Sequence, residues 1–506
     1  MQKYLLAHDL GTSGNKATLY DLDGTLISSS VSTYDTNYFN SNWVEQNPDD
    51  WWNAICKSTK ELLAGINKQD VLAVSFSGQM MGCLCVDKSG VPLRPSIIWA
   101  DMRATREEEF IRSRLSPDEF YKTVGHRISS SYSIEKLMWV KNNEPDIYKN
   151  TYKMLNAKDY IIYRMTGKFV TDYSDASGTN AFDINKFEWS SKILDAIGID
   201  TDKLPEAKPS TYIAGEITSK VAEECGLAVG TKVVLGGGDG MCASVGAGSV
   251  SEGRTYNCLG SSSWICTTTK QPVFDPEMRT FNWAHVVPGY IAPCGTMQTA
   301  GAAFSWVKNE ICKYEQLIAA GEGVSPYVLI DKEVEKSKPA SNGLLFLPYL
   351  LGERSPRWNP NARGAFVGLK MEHSRSDMLR SVVEGIFMNL NIILDILKMQ
   401  IDIKEMIVIG GMAKGLVQRQ MLADIFGMNI LKMASLEEAT SMGAAVTAGV
   451  GIGALSGFHE AEKFNSVTEV IEPNTQNVKE YKKIIPIFNN TYYALESIYG
   501  QLAGIE

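Results

Sequence analysis

Histidine and paired cysteine are what this 506-residue chain is short of. Its five histidines are scattered, its nine cysteines contain no Cys-x-x-Cys pair, and only Cys83 and Cys85 lie close together. That pattern excludes a cysteine zinc site and a disulfide scaffold, and it reads as reduced thiols in a cytosol. Excess positive charge is absent too: 49 Lys and Arg stand against 58 Asp and Glu, a formal charge of −9. Such mild acidity offers no general attraction for nucleic acid or an anionic membrane. The start, Met1-Gln2-Lys3-Tyr4-Leu5-Leu6-Ala7, turns polar at once and is too short for a signal peptide's apolar region, and no apolar run reaches the roughly 18 residues of a membrane span. The most apolar late stretch, 443–457, is rich in Gly and Ala and reads as a closely packed buried helix or turn. A cytoplasmic location is the expectation.

What is present is an ordinary globular composition, 44% hydrophobic and 21% charged. At about 150 residues per domain the length allows roughly three domains, or two large ones. The chain opens as a meander: strands at 4–10 and 16–20, then a turn at Asp21-Leu22-Asp23-Gly24 into 25–27. Asn47-Pro48-Asp49-Asp50 is a helix start, with Asn as cap, Pro at the first position and acids in the first turn. Apolar positions Trp52, Ile55, Leu62 and Leu63 follow at helical spacing. Strands at 71–76 and 231–235 run into Gly78 and Gly236, and this strand–helix alternation argues an α/β layered fold. A strand, a hydroxyl-rich turn and a returning strand recur at 255–259 and 264–269, which reads as an internal duplication of long period. A helix at 378–397 and a strand at 405–409 complete the outline.

Three loops carry candidate chemistry. In Asp9-Leu10-Gly11-Thr12-Ser13-Gly14-Asn15-Lys16, small residues let backbone N–H groups approach a phosphate, Thr12 and Ser13 add hydroxyls, and Lys16 adds positive charge. Asp9, at the strand end, suits Mg²⁺. The plainer reading is a hairpin with a capping aspartate. In Gly236-Gly237-Gly238-Asp239-Gly240, Asp239 is the only charged side chain between Lys232 and Glu252. A carboxylate flanked by glycines is placed for general-base work, or is a turn aspartate. Gly238-x-Gly240-x-x-Ala243 lacks the acid about 20 residues on that a dinucleotide fingerprint needs. Gly167-Lys168 lacks the upstream glycine of a Walker A loop. His8 reads as packed and hydrogen-bonded, Trp52 as core, and Trp99 as either core or sugar-stacking. Cys83 and Cys85 read as one core and one surface thiol. Glu107 to Glu109 read as a solvated helix face. Arg354, Arg357 and Arg363 stay unassigned.

With these residues in view, the chain resembles the FGGY carbohydrate kinases of the actin, hexokinase and chaperone ATPase superfamily. The carriers are "HDLGTSGNK", "SFSGQMMG" (75–82), "IIWADMRA" (97–104), "GGGDGMCASVGAG" (236–248), "GSSSW" (260–264), "LPYLLGERSPRWNPNARGAFVGL" (347–369), "VIGGMAKGLVQRQMLAD" (408–424) and "EEATSMGAAVTA" (437–448). Among its branches the chain is most similar to xylulokinases, through Gly78-Gln79-Met80 and the "WAD" segment. The resemblance implies two actin-like, ribonuclease H-like ATPase domains, 1–248 on the sugar side and 249–506 on the ATP side, with an interdomain cleft. It implies ATP and Mg²⁺, and a small-molecule sugar acceptor such as a ketopentose. A symmetric homodimer is the base-rate expectation, in line with family habit. By motif, it implies Asp239 as catalytic base, Asp9 as the Mg-associated aspartate, and Thr12, Ser13 and Lys16 as the first phosphate loop. Gly260, Ser261 and Ser262 match the second phosphate loop, and Gly410, Gly411, Ala413 and Lys414 the adenosine loop. Gln79, Met80, Met81 and Asp101 match the substrate side.

One departure stands out: Met81 occupies the place of the histidine common in xylulokinases, and a thioether cannot donate to a hydroxyl. Asp101 with Asp239 argues for a neutral polyhydroxylated acceptor, another ketose or a polyol included, because two carboxylates would repel an acid sugar. A rival is a non-sugar ATPase of the actin or chaperone kind, which would not need the cluster from Gln79 to Asp101.

Overall fold

A computed structural model describes residues 2–505. Two mixed sheets organise it, and they share one plan. The first contains β1 (Tyr4–Leu10), β2 (Gly14–Asp21), β3 (Leu26–Thr33), β4 (Val71–Gly78), β5 (Ile213–Glu216), β6 (Lys232–Val234) and the short β7 (Gly237–Gly238). Its order is β3-β2-β1-β4-β6-β5, with β7 also on β4. The second contains β8 (Thr255–Leu259), β9 (Ser263–Thr267), β10 (Phe281–Ala284), β11 (Ile291–Met297), β12 (Glu405–Ile409), β13 (Asn429–Met433) and β14 (Val467–Ile471). Its order is β10-β11-β9-β8-β12-β13-β14.

In each sheet an antiparallel meander meets two parallel strands and ends on an antiparallel edge. The duplication read from the two hydroxyl-rich turns is therefore real at the level of topology. Asp9-Leu10-Gly11 and Cys258-Leu259-Gly260 occupy matching places at the ends of β1 and β8.

Local chemistry sets the elements. Helix α1 (Pro48–Leu62) starts where Asn47 Oδ1 accepts from the Asp49 N–H at 3.2 Å, with Pro at the first turn, and it buries Trp51, Trp52 and Ile55. The hairpin of β2 and β3 turns on Gly24, whose φ of 88° favours glycine. Lys158, on the helix Ala157–Thr166, is wholly buried and meets the carboxylates of Asp159, Asp172 and Asp175.

Between the sheets lie two helices that follow equivalent strands, α2 (Asp239–Gly246) and α3 (Ala439–Gly451). They pack on each other, and α3 also packs on β1 and β4 of the first sheet. The core around them draws Leu5, Ala7 and Val234 from one sheet and Tyr256, Ile407 and Leu431 from the other. Small residues make this possible. A Cβ on Gly246 would lie 1.9 Å from the Ala439 carbonyl oxygen, and one on Gly443 would lie 1.9 Å from that of Cys242. The Gly- and Ala-rich stretch read as a closely packed helix is α3.

Two expectations change. Cys83 and Cys85 are both fully buried, because the short strand Leu84–Val86 is covered on each face. Glu107 is buried rather than solvated and accepts from Asn142 Nδ2 at 2.9 Å. All nine cysteines are free. Among the described residues no helix is long and apolar enough to cross a membrane.

Candidate active site

The strand ends of both sheets converge on Asp9 and Asp239. Asp9, near the end of β1, accepts from Ser77 Oγ on β4 at 2.9 Å and from Thr440 Oγ1 on α3 at 2.7 Å. Burial pushes its carboxyl above the usual range, while these two hydroxyls and the nearby Lys16 pull it back. Lys16 sits opposite Asp9 on β2 and pairs with Glu438, at the start of α3. The cation read for the phosphate loop is thus already neutralised from the other half of the chain.

Asp239 is the first residue of α2. Its carboxylate accepts from the Gly240 N–H at 2.7 Å and is open to the cleft. The crowding cleft walls, and secondarily the like charge of Asp9, raise its carboxyl from 3.8 to about 7. A carboxylate titrating there can take a proton near neutrality. Its loop is held from behind: the Gly238 N–H donates to Ser174 Oγ at 2.9 Å, and Ser174 Oγ donates to Asp172 at 2.5 Å. Asp172 in turn meets Lys158.

Two cavities open on this region. The smaller, of about 180 Å³, is lined by Met80, Met81, Trp99, Asp239, Ser262 and Arg354, with Trp264, Phe281, Trp283 and Thr296 among its other walls. The larger, of about 580 Å³, is lined by Gly260, Ser261, Gly411 and Lys414, with Phe304, Tyr327, Asp331 and Gln418. The loop after β8 therefore faces both: Gly260 and Ser261 turn to the large cavity and Ser262 to the small one. The large cavity has the size and backbone lining of a nucleotide site, and the small one fits an acceptor of sugar size.

Other residues named from sequence take supporting places. The Trp99 indole N–H donates to Thr12 Oγ1 at 2.9 Å, tying the first loop to the small cavity. Gln79 does not line that cavity; its Nε2 donates to Gln46, whose own Nε2 donates to the Thr12 carbonyl. Asp101 is withdrawn altogether. It is fully buried, binds Arg103 through Nε and Nη2, and accepts from the Val44 N–H at 2.5 Å. Its charge is thereby cancelled, and it gives no reason to exclude an acid sugar.

Met81 holds a left-handed backbone with φ of 63°, and its carbonyl accepts from the buried Lys136 Nζ at 2.8 Å. Gly410 has φ of 94° and no room for a side chain against Leu259; Ala413 is buried, and its carbonyl accepts from Arg419. Ser13 offers its backbone carbonyl to the Tyr34 N–H. Lys414 pairs with Glu437 at 2.7 Å. His8 is packed as read: buried, against Asn15 and Thr59, with its pKa lowered to about 3 by burial.

Residues 4–246 match the N-terminal domain of the FGGY family of carbohydrate kinases, and residues 255–452 match its C-terminal domain. The chain belongs to that family. The xylulose kinase of Staphylococcus xylosus is 32% identical over 97% of this chain and 99% of its own length. The gluconokinase of Bacillus subtilis (strain 168) is 30% identical over 99% of this chain and 98% of its own. A crystal structure of ligand-bound xylulose kinase from Lactobacillus acidophilus superposes with a TM-score of 0.92 at 28% identity, covering 99% of this chain and all of that one. The protein is a two-domain carbohydrate kinase, and the chaperone-like ATPase alternative is set aside.

Several lining residues carry no local sequence signal. Tyr327, Asp331 and Gln418 reach the large cavity from helices distant in sequence, and Thr296 and Trp283 reach the small one from neighbouring strands. Thr440 lies within the quoted "EEATSMG" motif, but only the fold brings it to Asp9.

Proposed function

We propose that this FGGY kinase transfers the γ-phosphoryl group of ATP to a hydroxyl of a small polyhydroxylated acceptor, a ketopentose such as xylulose, with Asp239 as general base. The observation that carries this reading is the 260–262 loop, whose backbone faces the nucleotide-sized cavity while its last serine faces Asp239 across the acceptor-sized one. ATP lies in the large cavity with its terminal phosphate at the loop. The acceptor oxygen bonds to phosphorus as the bond to the ADP oxygen breaks, and the hydroxyl proton passes to Asp239. Backbone N–H groups at Thr12 and Ser13 and in the Gly260–Ser262 turn hold phosphate oxygens, the Gly11 N–H being taken by the Gly14 carbonyl. The apolar walls exclude water, which would otherwise compete as nucleophile.

Asp9 and Asp239 are two like-charged carboxylates close enough to raise the pKa of one of them, an arrangement that a divalent cation relieves. Mg²⁺ is held typically by one or two carboxylates plus substrate phosphates, so Asp9 fits as its protein ligand although no three-residue acidic or histidine cluster exists among the described residues. When bound, Mg²⁺ supplies charge neutralisation at the phosphates.

The test is ADP release from Mg-ATP with a panel of ketoses, alditols and aldonates. Acceleration by at least one of them is expected. Stimulation by none of them counts against the reading.

A further inference from the structure

Arg354 stands in the wall of the acceptor cavity as a cation with no bonded partner among the described residues. It lies in the tight turn at 353–359, where its own N–H donates to Glu353 at 2.8 Å and its carbonyl accepts from the Trp358 N–H at 2.6 Å. The turn is fastened to β11 by the Ser355 N–H on the Thr296 carbonyl at 3.0 Å. Its one adjacent acid, Glu353, is occupied by the Gln298 and Arg354 N–H groups and by Asn389 Nδ2. Among the described residues the Arg354 guanidinium, half-buried, meets no carboxylate and no carbonyl within bonding distance.

The rest of the cavity makes that exceptional. Met80, Met81, Phe281 and Trp283 offer no charge, and the Trp99 and Trp264 N–H groups are already bonded to Thr12 and Tyr256. Asp239 lines the same cavity yet forms no ion pair with Arg354, which sets the two apart within it. A guanidinium on a rigid turn, facing an apolar pocket, is a fork for paired oxygen acceptors.

We propose that Arg354 binds the end of the acceptor remote from the phosphorylated hydroxyl, and that this end carries a carbonyl or carboxylate group. The inference rests on the kinase reading above and narrows its substrate class to ketoses and aldonates over alditols. Arg354 supplies the polar contact that Met81 withholds. With Asp101 cancelled by Arg103, Arg354, the one cation lining the cavity among the described residues, is available to an anionic acceptor.

The experiment is steady-state kinetics of the full-length enzyme with Mg-ATP, for the wild type, Arg354→Met and Arg354→Lys, on matched ketose, alditol and aldonate sets. Loss of a charged hydrogen bond should raise KM for the preferred acceptor about tenfold or more in Arg354→Met, with KM for ATP within about twofold. Arg354→Lys should recover part of the loss. A penalty confined to aldonates identifies a carboxylate end, and one confined to ketoses a carbonyl end. Thermal midpoints with and without ATP separate binding loss from misfolding. A wild type that turns over none of the panel overturns the kinase reading. A wild type that does, beside Arg354→Met with unchanged KM on every acceptor, overturns Arg354 alone.

Discussion

The Thr440 hydroxyl donates to Asp9 Oδ2 at 2.7 Å, joining residues 431 positions apart. Thr440 rides on α3, a helix from the second half of the chain that packs on the first sheet, so the charge state of Asp9 is set from both halves. Thr440→Val should cost about 1.5–3 kcal/mol of stability where Asp9 is ionised, the range for a hydrogen bond to a charged group. Removing this donor raises the folded-state pKa of Asp9 further above its unfolded value. The stability gap between wild type and variant therefore opens as pH rises and narrows toward acid, where Asp9 is protonated in both. Thr440→Ser, which keeps the hydroxyl, should stay near wild type. Denaturant melts across pH check this, and a gap independent of pH would contradict it.

Asp239 gives a second pH signature. Its carboxyl is raised from 3.8 to about 7 by crowding in the cleft and then by Asp9, so the form that accepts a proton is the minority at pH 6. Turnover should climb about tenfold per unit below pH 7 and level off above it. Asp239→Asn should lose about 10²–10⁴-fold in kcat. The stability sign is opposite. Between about pH 4 and 7 the unfolded chain has lost this proton and the folded chain has not, so wild-type stability falls as pH rises through that window. Asp239→Asn lacks that slope and should gain in melting temperature relative to wild type from pH 4 to 7, then hold the gain.

Lys136 is a positioning residue behind the acceptor cavity. Fully buried, its Nζ donates to the Met81 carbonyl at 2.8 Å and to the Ser131 carbonyl at 2.5 Å, pinning the left-handed turn that presents Met81. Burial lowers its pKa to about 7, so the ammonium is held at a cost. Lys136→Met removes that cost along with the clamp, and its effect on melting should be small. KM for the acceptor should rise about tenfold, or about 1.4 kcal/mol, while KM for ATP stays. A large fall in melting temperature with an unchanged acceptor KM would mean Lys136 serves only the core.

The two-sheet plan was legible because its signals are local: Asn47-Pro48 caps a helix, Gly24 closes a hairpin, and matching hydroxyl-rich turns follow β1 and β8. Asp9 and Asp239 stand out in sequence for the same reason, as acids at strand ends close to glycines, and the fold brings both to the cleft. What sequence could not assign was each side chain's partner. Asp101 reads as a substrate residue beside Trp99, yet Arg103, two positions on, folds back and neutralises it. Lys16 reads as a phosphate ligand, yet Glu438 arrives from the far end of the chain. Arg354 is one of three arginines in a single motif: Arg357 bonds Tyr349 and Asn489, Arg363 bonds the Pro360 and Ala362 carbonyls, and only the folded structure shows the Arg354 guanidinium without a bonded partner among the described residues.

The crossing of α2 and α3 supplies a last prediction, because each helix carries one residue of the site: Asp239 begins the first and Thr440 lies in the first turn of the second. At Gly443 an added Cβ would sit 1.9 Å from the Cys242 carbonyl oxygen and 2.7 Å from its carbon, both backbone atoms that cannot rotate away. Gly443→Ala must push the helices apart, a cost of about 1–3 kcal/mol or more. Gly500, inside the helix Thr475–Ala503, has nothing within 4 Å of the same added atom. There Gly→Ala should stabilise by about 0.5–1 kcal/mol through helix propensity alone. The identical substitution thus has opposite signs at the two positions. Thermal melts of both variants check the pair, and turnover separates them further: Gly500→Ala should keep wild-type kcat, whereas Gly443→Ala should lose it at temperatures where the variant remains folded, because parting the helices moves Asp239 relative to Asp9.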